Sequence, residues 1–155
     1  TPTHIEIYKK ITKIKSITHT HSPYAITWAQ SGKAIPLIGT THADYWSEEV
    51  PIAGFLSLKE LNKGYEKNTG NLILKTLKKK KLNPYICPGI LVSGHGPFTW
   101  GTEIDSSVKN AEILEFIAKT TFNSYLIKIK KKLPKYISKK HFKRKHGKNS
   151  YYGQD

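Results

Sequence analysis

Short apolar segments alternate with helical ones along this chain, and that alternation limits the fold more than any other feature. Pro88-Gly89-Ile90-Leu91-Val92-Ser93 is an uncharged run that ends at a glycine turn, the pattern of a buried strand. Ser16-Ile17-Thr18-His19-Thr20-His21 is a second strand, Ile35-Pro36-Leu37-Ile38 a short third, and Val50-Pro51-Ile52-Ala53 is extended. Helical patterns fill the gaps. Residues 1–12 form a helix with Pro2 in its first turn and Ile5, Tyr8 and Ile11 or Thr12 on its inner face. Another runs over 24–30 behind Ser22-Pro23, and a short one over 56–66 around Leu58 and Leu61. A fourth covers 71–79, with Leu72, Ile73, Thr76 and Leu77 as its stripe. The longest starts behind Asp105 or Ser106 and runs from 107 towards 131, with Val108, Ala111, Leu114, Ile117, Ala118 and Phe122 among its inner residues. Pro134 ends it, and a basic helix over 136–145 follows. Thr99-Trp100-Gly101 reads as a turn. Strands are few, so these elements make part of an α/β layered domain. One domain spans 1–155, with 133–155 as its basic helix and C-terminal tail.

The formal net charge is +15, and lysine supplies nearly all of it; Arg144 is the only arginine. Base readout leans on arginine forks, and single-strand binding needs aromatics interleaved with the charges. Tyr136 and Phe142 are the only aromatics in the basic tail before its end, so lysines spread over a general surface explain the charge better than a nucleic-acid partner. No apolar run approaches the ~20 residues of a membrane span. The single Cys87 cannot form an internal disulfide, which fits the reducing cytosol; it reads as a small buried apolar residue. The chain opens at Thr1 and holds no methionine, so we expect a fragment or processed chain.

Chemistry gathers at the strand ends. Strand side chains alternate, so His19 and His21 share a face, and two imidazoles on one face can grip one divalent metal. His95, in Gly94-His95-Gly96-Pro97-Phe98, is the candidate third ligand. Such a site keeps an open position, as a catalytic metal needs. Thr40-Thr41-His42-Ala43-Asp44 follows a strand and suits site chemistry; equally, Thr40 and Asp44 satisfy backbone donors there. His4 reads as a packing or surface residue.

Five runs stand in order: His19-Thr20-His21-Ser22; Thr40-Thr41-His42-Ala43-Asp44-Tyr45; Tyr65-Glu66 with Thr69-Gly70-Asn71; Gly94-His95-Gly96-Pro97-Phe98 with Trp100-Gly101; and Lys145-His146-Gly147 with Tyr151-Tyr152-Gly153-Gln154. Together they resemble the L-ribulose-5-phosphate 4-epimerases of the class II aldolase/adducin family, over 1–154. The resemblance implies a three-layer α/β/α fold with a central, mainly antiparallel sheet, and a homotetramer with active sites between subunits. The activity it implies is inversion at C4 of L-ribulose 5-phosphate, giving D-xylulose 5-phosphate, by retro-aldol cleavage and re-addition. His19, His21 and His95 match the family's metal positions, for Zn²⁺ or for Mn²⁺, Co²⁺ or Ni²⁺. Asp44 on one side and Tyr152 from a neighbouring subunit on the other match its acid/base groups. Thr40, Glu66 and His141 match positions near the substrate. The family also carries an earlier segment that holds the substrate phosphate and adds an aspartate to the metal shell; here it is absent, so we expect this chain by itself to be unstable or inactive unless that segment is supplied. A class II sugar-phosphate aldolase that stops at cleavage, and a non-catalytic remnant of the family, are the alternatives.

Overall fold

The computed structural model describes residues 1–129, 132–148 and 150–151. In chain order the elements are α1 (Pro2–Lys10), β1 (Ser16–His19), α2 (Pro23–Gln30), α3 (Thr40–Tyr45), β2 (Ile52–Ala53), α4 (Leu58–Asn62), α5 (Tyr65–Lys79), β3 (Gly89–Val92), β4 (Gly96–Gly101), α6 (Ser106–Leu126) and α7 (Lys135–His146). The strands form one sheet in the order β1-β4-β3-β2. β1 and β3 flank β4 antiparallel, while β2 runs parallel to β3. The sheet is mixed and mainly antiparallel, with helices on both faces, which is the α/β/α architecture the resemblance implies.

Strand parity assigns the two faces. Thr18 and Thr99 turn towards α6: Thr18 Oγ1 lies 2.8 Å from Ser107 Oγ, and Thr99 Oγ1 donates to Ser107 O at 2.8 Å. Phe98 and Trp100 turn the other way, where the His4 ring of α1 meets Phe98 edge-on and Trp100 Nε1 donates to Pro84 O. α1 and α5 pack together on this second face. Trp46, Trp100, Ile7, Ile73, Ile90, Leu91, Leu114 and Ile117 are among the fully buried side chains. No described helix is long and apolar enough to cross a membrane.

Several elements differ from the sequence expectation. Ile35–Ile38 is no strand; only the single bridge Ile35↔Val50 forms, because Pro36 has no N–H to extend a ladder. Residues 96–101 are a strand, not a turn out of the fold, and every one is buried. The predicted 56–66 helix stops at Asn62 and gives way to Gly64, whose φ of 120° breaks it, and α5 starts at Tyr65 rather than at 71. Leu58 and Leu61 are exposed, and so are Val108 and Leu126 of α6.

The inner face of α1 is the clearest correction. Ile5 and Tyr8 are exposed, and Thr3 and Ile7 are buried instead, while Ile11 is buried as expected. Gly70 is the reason. A Cβ there would sit 2.8 Å from Thr3 O and 2.9 Å from Glu6 Cβ, so the missing side chain lets α5 close on α1. Thr3 then donates its hydroxyl to Glu66 O at 2.7 Å and leaves no unpaired oxygen in the contact. Gly70→Ala should push the helices apart and cost about 1–3 kcal/mol, read as a lower urea midpoint with an unchanged slope.

Candidate active site

β1 ends at His19, and two residues on, His21 keeps to the same side of the chain, as parity requires. The third imidazole comes from the β3–β4 hairpin. Val92 pairs with Gly96 across a turn of Ser93, Gly94 and His95. Gly94 takes φ +67°, a left-handed conformation that suits glycine. The turn is tied down from two sides. Gly94 N donates to Ala29 O at 2.9 Å, and Ser93 Oγ to Ala53 O at 2.8 Å. Gly96 makes the close approach possible, because a Cβ there would lie 2.8 Å from Thr20 O. Behind His21, α2 begins, and the Glu115 carboxylate of α6 accepts from its Tyr24 and Ala25 N–H groups at 2.9 and 2.8 Å. A carboxylate from another helix thus does the capping expected of Ser22, whose side chain makes no cap bond.

The result is one cluster of three imidazoles. One ligand nitrogen from each of His19, His21 and His95 lies within 4.8 Å of the others. His19 Nε2 and His21 Nε2 are 3.0 Å apart. Tetrahedral nitrogens on a metal bonded at ~2.1 Å stand roughly 3.4 Å apart. Hydrogen bonds set which nitrogen is available. His19 Nδ1–H donates to Pro97 O at 2.8 Å, leaving the Nε2 lone pair for a cation. His95 Nδ1 lies 3.1 Å from the Tyr65 hydroxyl; with Nδ1–H donating there, its Nε2 is likewise open. Phe98 stacks on His19 with centroids 4.1 Å apart and fixes the ring plane. Burial first, and then the neighbouring His21, hold His19 below its ordinary pKa, against the opposing bond to Pro97. Burial, then His19 and His21, lower His95 as well. Neutral imidazoles are the form a metal takes. His21 is exposed, so the cluster opens to solvent. These donors fit a divalent cation.

Asp44 belongs to a second cluster, built between α3 and α7. Arg144 Nε donates to Asp44 Oδ1 at 3.2 Å and Nη2 to Oδ2 at 3.0 Å. His141 Nδ1 lies 3.1 Å from the same Oδ1, and His146 Nε2 donates to the Asp44 carbonyl at 2.8 Å. Lys145 Nζ sits 3.8 Å over the Tyr45 ring. The structure therefore brings Asp44 and His141 together, in a cluster that shares no residue with the histidine triad. Thr40 opens α3, half-buried, in a cleft with Phe116 and Thr120 of α6. Glu66 is exposed beside Tyr65, and its backbone carbonyl takes the Thr3 hydroxyl. Tyr152 lies outside the described residues. Sequence reasoning missed Tyr65, Phe98, Arg144 and His146. Tyr65 and Phe98 stood inside quoted motifs, but Arg144 had no signal beyond being the lone arginine.

The chain belongs to the class II aldolase and adducin family: the family model "Class II Aldolase and Adducin N-terminal domain" matches residues 1–122. Solved structures agree in fold. L-fuculose 1-phosphate aldolase from Glaciozyma antarctica superposes with a TM-score of 0.69 at 19% identity, over 91% of this chain and 48% of its own. An aldolase II superfamily protein from Pseudomonas syringae gives 0.71 at 13%, over 92% and 53%. A sugar-phosphate aldolase from Thermotoga maritima gives 0.61 at 15%, over 84% and 55%. The chain thus spans about half the length of these proteins. Class II aldolases depend on divalent metals.

Two outcomes follow from this geometry. Gly96→Ala should force the Thr20–His21 segment off the hairpin and weaken Co²⁺ binding roughly 10- to 100-fold, measured by the absorption of the bound ion. The second concerns His42, buried in α3, which donates through Nε2 to Glu48 O at 3.0 Å; its Nδ1 has no partner among the described residues. Burial lowers its pKa from 6.5 to about 4, opposed by the Glu48 bond. The fold holds the neutral ring, so its stability is complete above pH 6.5 and drains as pH falls towards 4. The loss approaches about 3 kcal/mol. His42→Phe should flatten that slope in urea unfolding between those pH values.

Proposed function

We propose that this chain carries the metal-binding core of an enzyme that cleaves carbon–carbon bonds of sugar phosphates. Its reaction is C4 epimerisation of L-ribulose 5-phosphate to D-xylulose 5-phosphate. The observation that carries this is the convergence of His19, His21 and His95, with the outer nitrogen of His19 tied to Pro97 O. A divalent cation held there, Zn²⁺ or alternatively Mn²⁺, Co²⁺ or Ni²⁺, supplies Lewis-acid stabilisation of negative charge on the cleaved sugar.

The protein's own groups handle protons. Breaking C3–C4 leaves the bonding pair on C3 as an enediolate, while the C4 hydroxyl loses its proton and becomes an aldehyde. Asp44, with His141 at 3.1 Å, takes that proton on one face. Re-addition to the other face of the aldehyde needs a second proton donor, and Tyr152 fills that role. Thr40 and Glu66 orient the substrate. The protein works as a homotetramer whose sites combine one subunit's histidines with a neighbour's Asp44 and Tyr152, a reading supported by the separate contacts of Asp44 and of the triad. The reducing cytosol suits the single buried Cys87.

The second reading is an aldolase that stops at cleavage. The folds of L-fuculose 1-phosphate aldolase and the Thermotoga maritima sugar-phosphate aldolase favour it. Metal-loaded protein, supplied with the family's phosphate-holding segment and given L-ribulose 5-phosphate, separates the two. Xylulose 5-phosphate is the expected product; accumulation of dihydroxyacetone and glycolaldehyde phosphate would mean an aldolase. Neither product, with the metal bound, would leave a non-catalytic member of the family. His19→Ala should lower kcat/KM at least about 1000-fold, the loss of several kcal/mol of charge stabilisation.

A further inference from the structure

The chain has 26 lysines and arginines, and all but Arg144 are lysine. The position of that one exception is informative. The lysine ion pairs found among the described residues use Lys9, Lys15 and Lys80, whose side chains are 62%, 60% and 39% exposed. Arg144 is 22% exposed and its partner Asp44 12%. Arg144 grips the two oxygens of its carboxylate with two separate nitrogens, Nε on Oδ1 and Nη2 on Oδ2, whereas Lys15 reaches both oxygens of Glu103 from one nitrogen, at 3.4 and 3.3 Å. An ammonium is a single point charge and cannot hold a carboxylate plane; a guanidinium fork can. The one arginine therefore sits at an ion pair whose two-nitrogen geometry lysine cannot reproduce.

We infer that Arg144 is the positioning residue for Asp44, and that its fork fixes the carboxylate plane, with Oδ1 beside His141, in which Asp44 takes the proton of the C4 hydroxyl. This rests on the proposed role of Asp44. The fork blocks rotation of the carboxylate about its last side-chain bond. With Oδ1 shared between Arg144 Nε and His141 Nδ1, the direction in which Asp44 can exchange a proton is set before substrate arrives. His146 Nε2 on the Asp44 carbonyl holds the backbone of the same residue. α7 thus grips Asp44 at both ends.

The metal-loaded chain, supplied with the family's phosphate-holding segment for turnover, provides two independent readouts. A lone arginine gives a single Nε–H resonance in a ¹H–¹⁵N spectrum. Asp44→Asn should shift that resonance, while Asp105→Asn should not; an unmoved resonance in Asp44→Asn overturns the contact. In turnover of L-ribulose 5-phosphate, Arg144→Lys should lower kcat roughly 10- to 100-fold with KM changed much less. Arg144→Ala should regain part of the loss with millimolar guanidinium and none with methylammonium. Wild-type turnover in Arg144→Lys, or equal rescue by both cations, overturns the positioning role. An inactive wild-type chain overturns the reaction assigned above and the positioning role with it. That outcome is distinct from a broken contact, because the Nε–H resonance reports the contact without any turnover.

Discussion

Ser16 to His19 runs antiparallel against Phe98 to Gly101, with His19 opposite Phe98. The rest of the candidate site depends on this pairing. Closing so long a loop costs only logarithmically more than closing a short one, and ladder bonds with two buried faces offset it. Once the register is set, period-two alternation sends His19 and Phe98 to the α1 side and Thr18 and Thr99 to α6. The three-residue hairpin turn then has nowhere to place His95 except beside the end of β1. Gly96 keeps that corner open. A slip of one residue would turn His19 to the opposite face and scatter the donors.

The histidines were legible because their signal is local. His-x-His on a strand states its own geometry, and a histidine after an apolar strand and a glycine marks a turn. What failed depended on partners far along the chain. β4 was hidden because Gly96, Pro97 and Gly101 are residues that strands usually avoid. Here Gly96 makes room for Thr20, and Pro97 offers its carbonyl to His19. The α1 face was misassigned because apolar periodicity favours Ile5 and Tyr8, while a glycine on another helix decides which side can approach. Ser22 was the right place for a helix start, but its cap came from Glu115, which no local rule identifies.

The second cluster shows a different limit. α7 buries no residue completely, so apolar burial does not explain why it lies against α3. Charge-assisted bonds to Asp44 and the stacking of Lys145 over Tyr45 do. Within a run of cationic residues one arginine carries no pattern, and only the position of Asp44 reveals its use. A helix held this way depends on a few directional contacts. Changing one of them alters the placement of the whole element in a manner that a buried leucine stripe would resist.

A chain of net charge +15 is an unpromising place for a second positive charge. Two features reconcile it with a divalent cation. Charges beyond about 8 Å are screened at physiological ionic strength, so lysines distributed over the outer helices contribute little at the triad. The donors themselves are neutral, since burial and mutual proximity disfavour the imidazolium form of His19 and His95. An anion meets the opposite sign, since a positive field accelerates its approach to the surface. Excess charge that would hinder loading of a bare ion is thus met by nitrogen lone pairs, which short-range hydrogen bonds to Pro97 and Tyr65 hold in place.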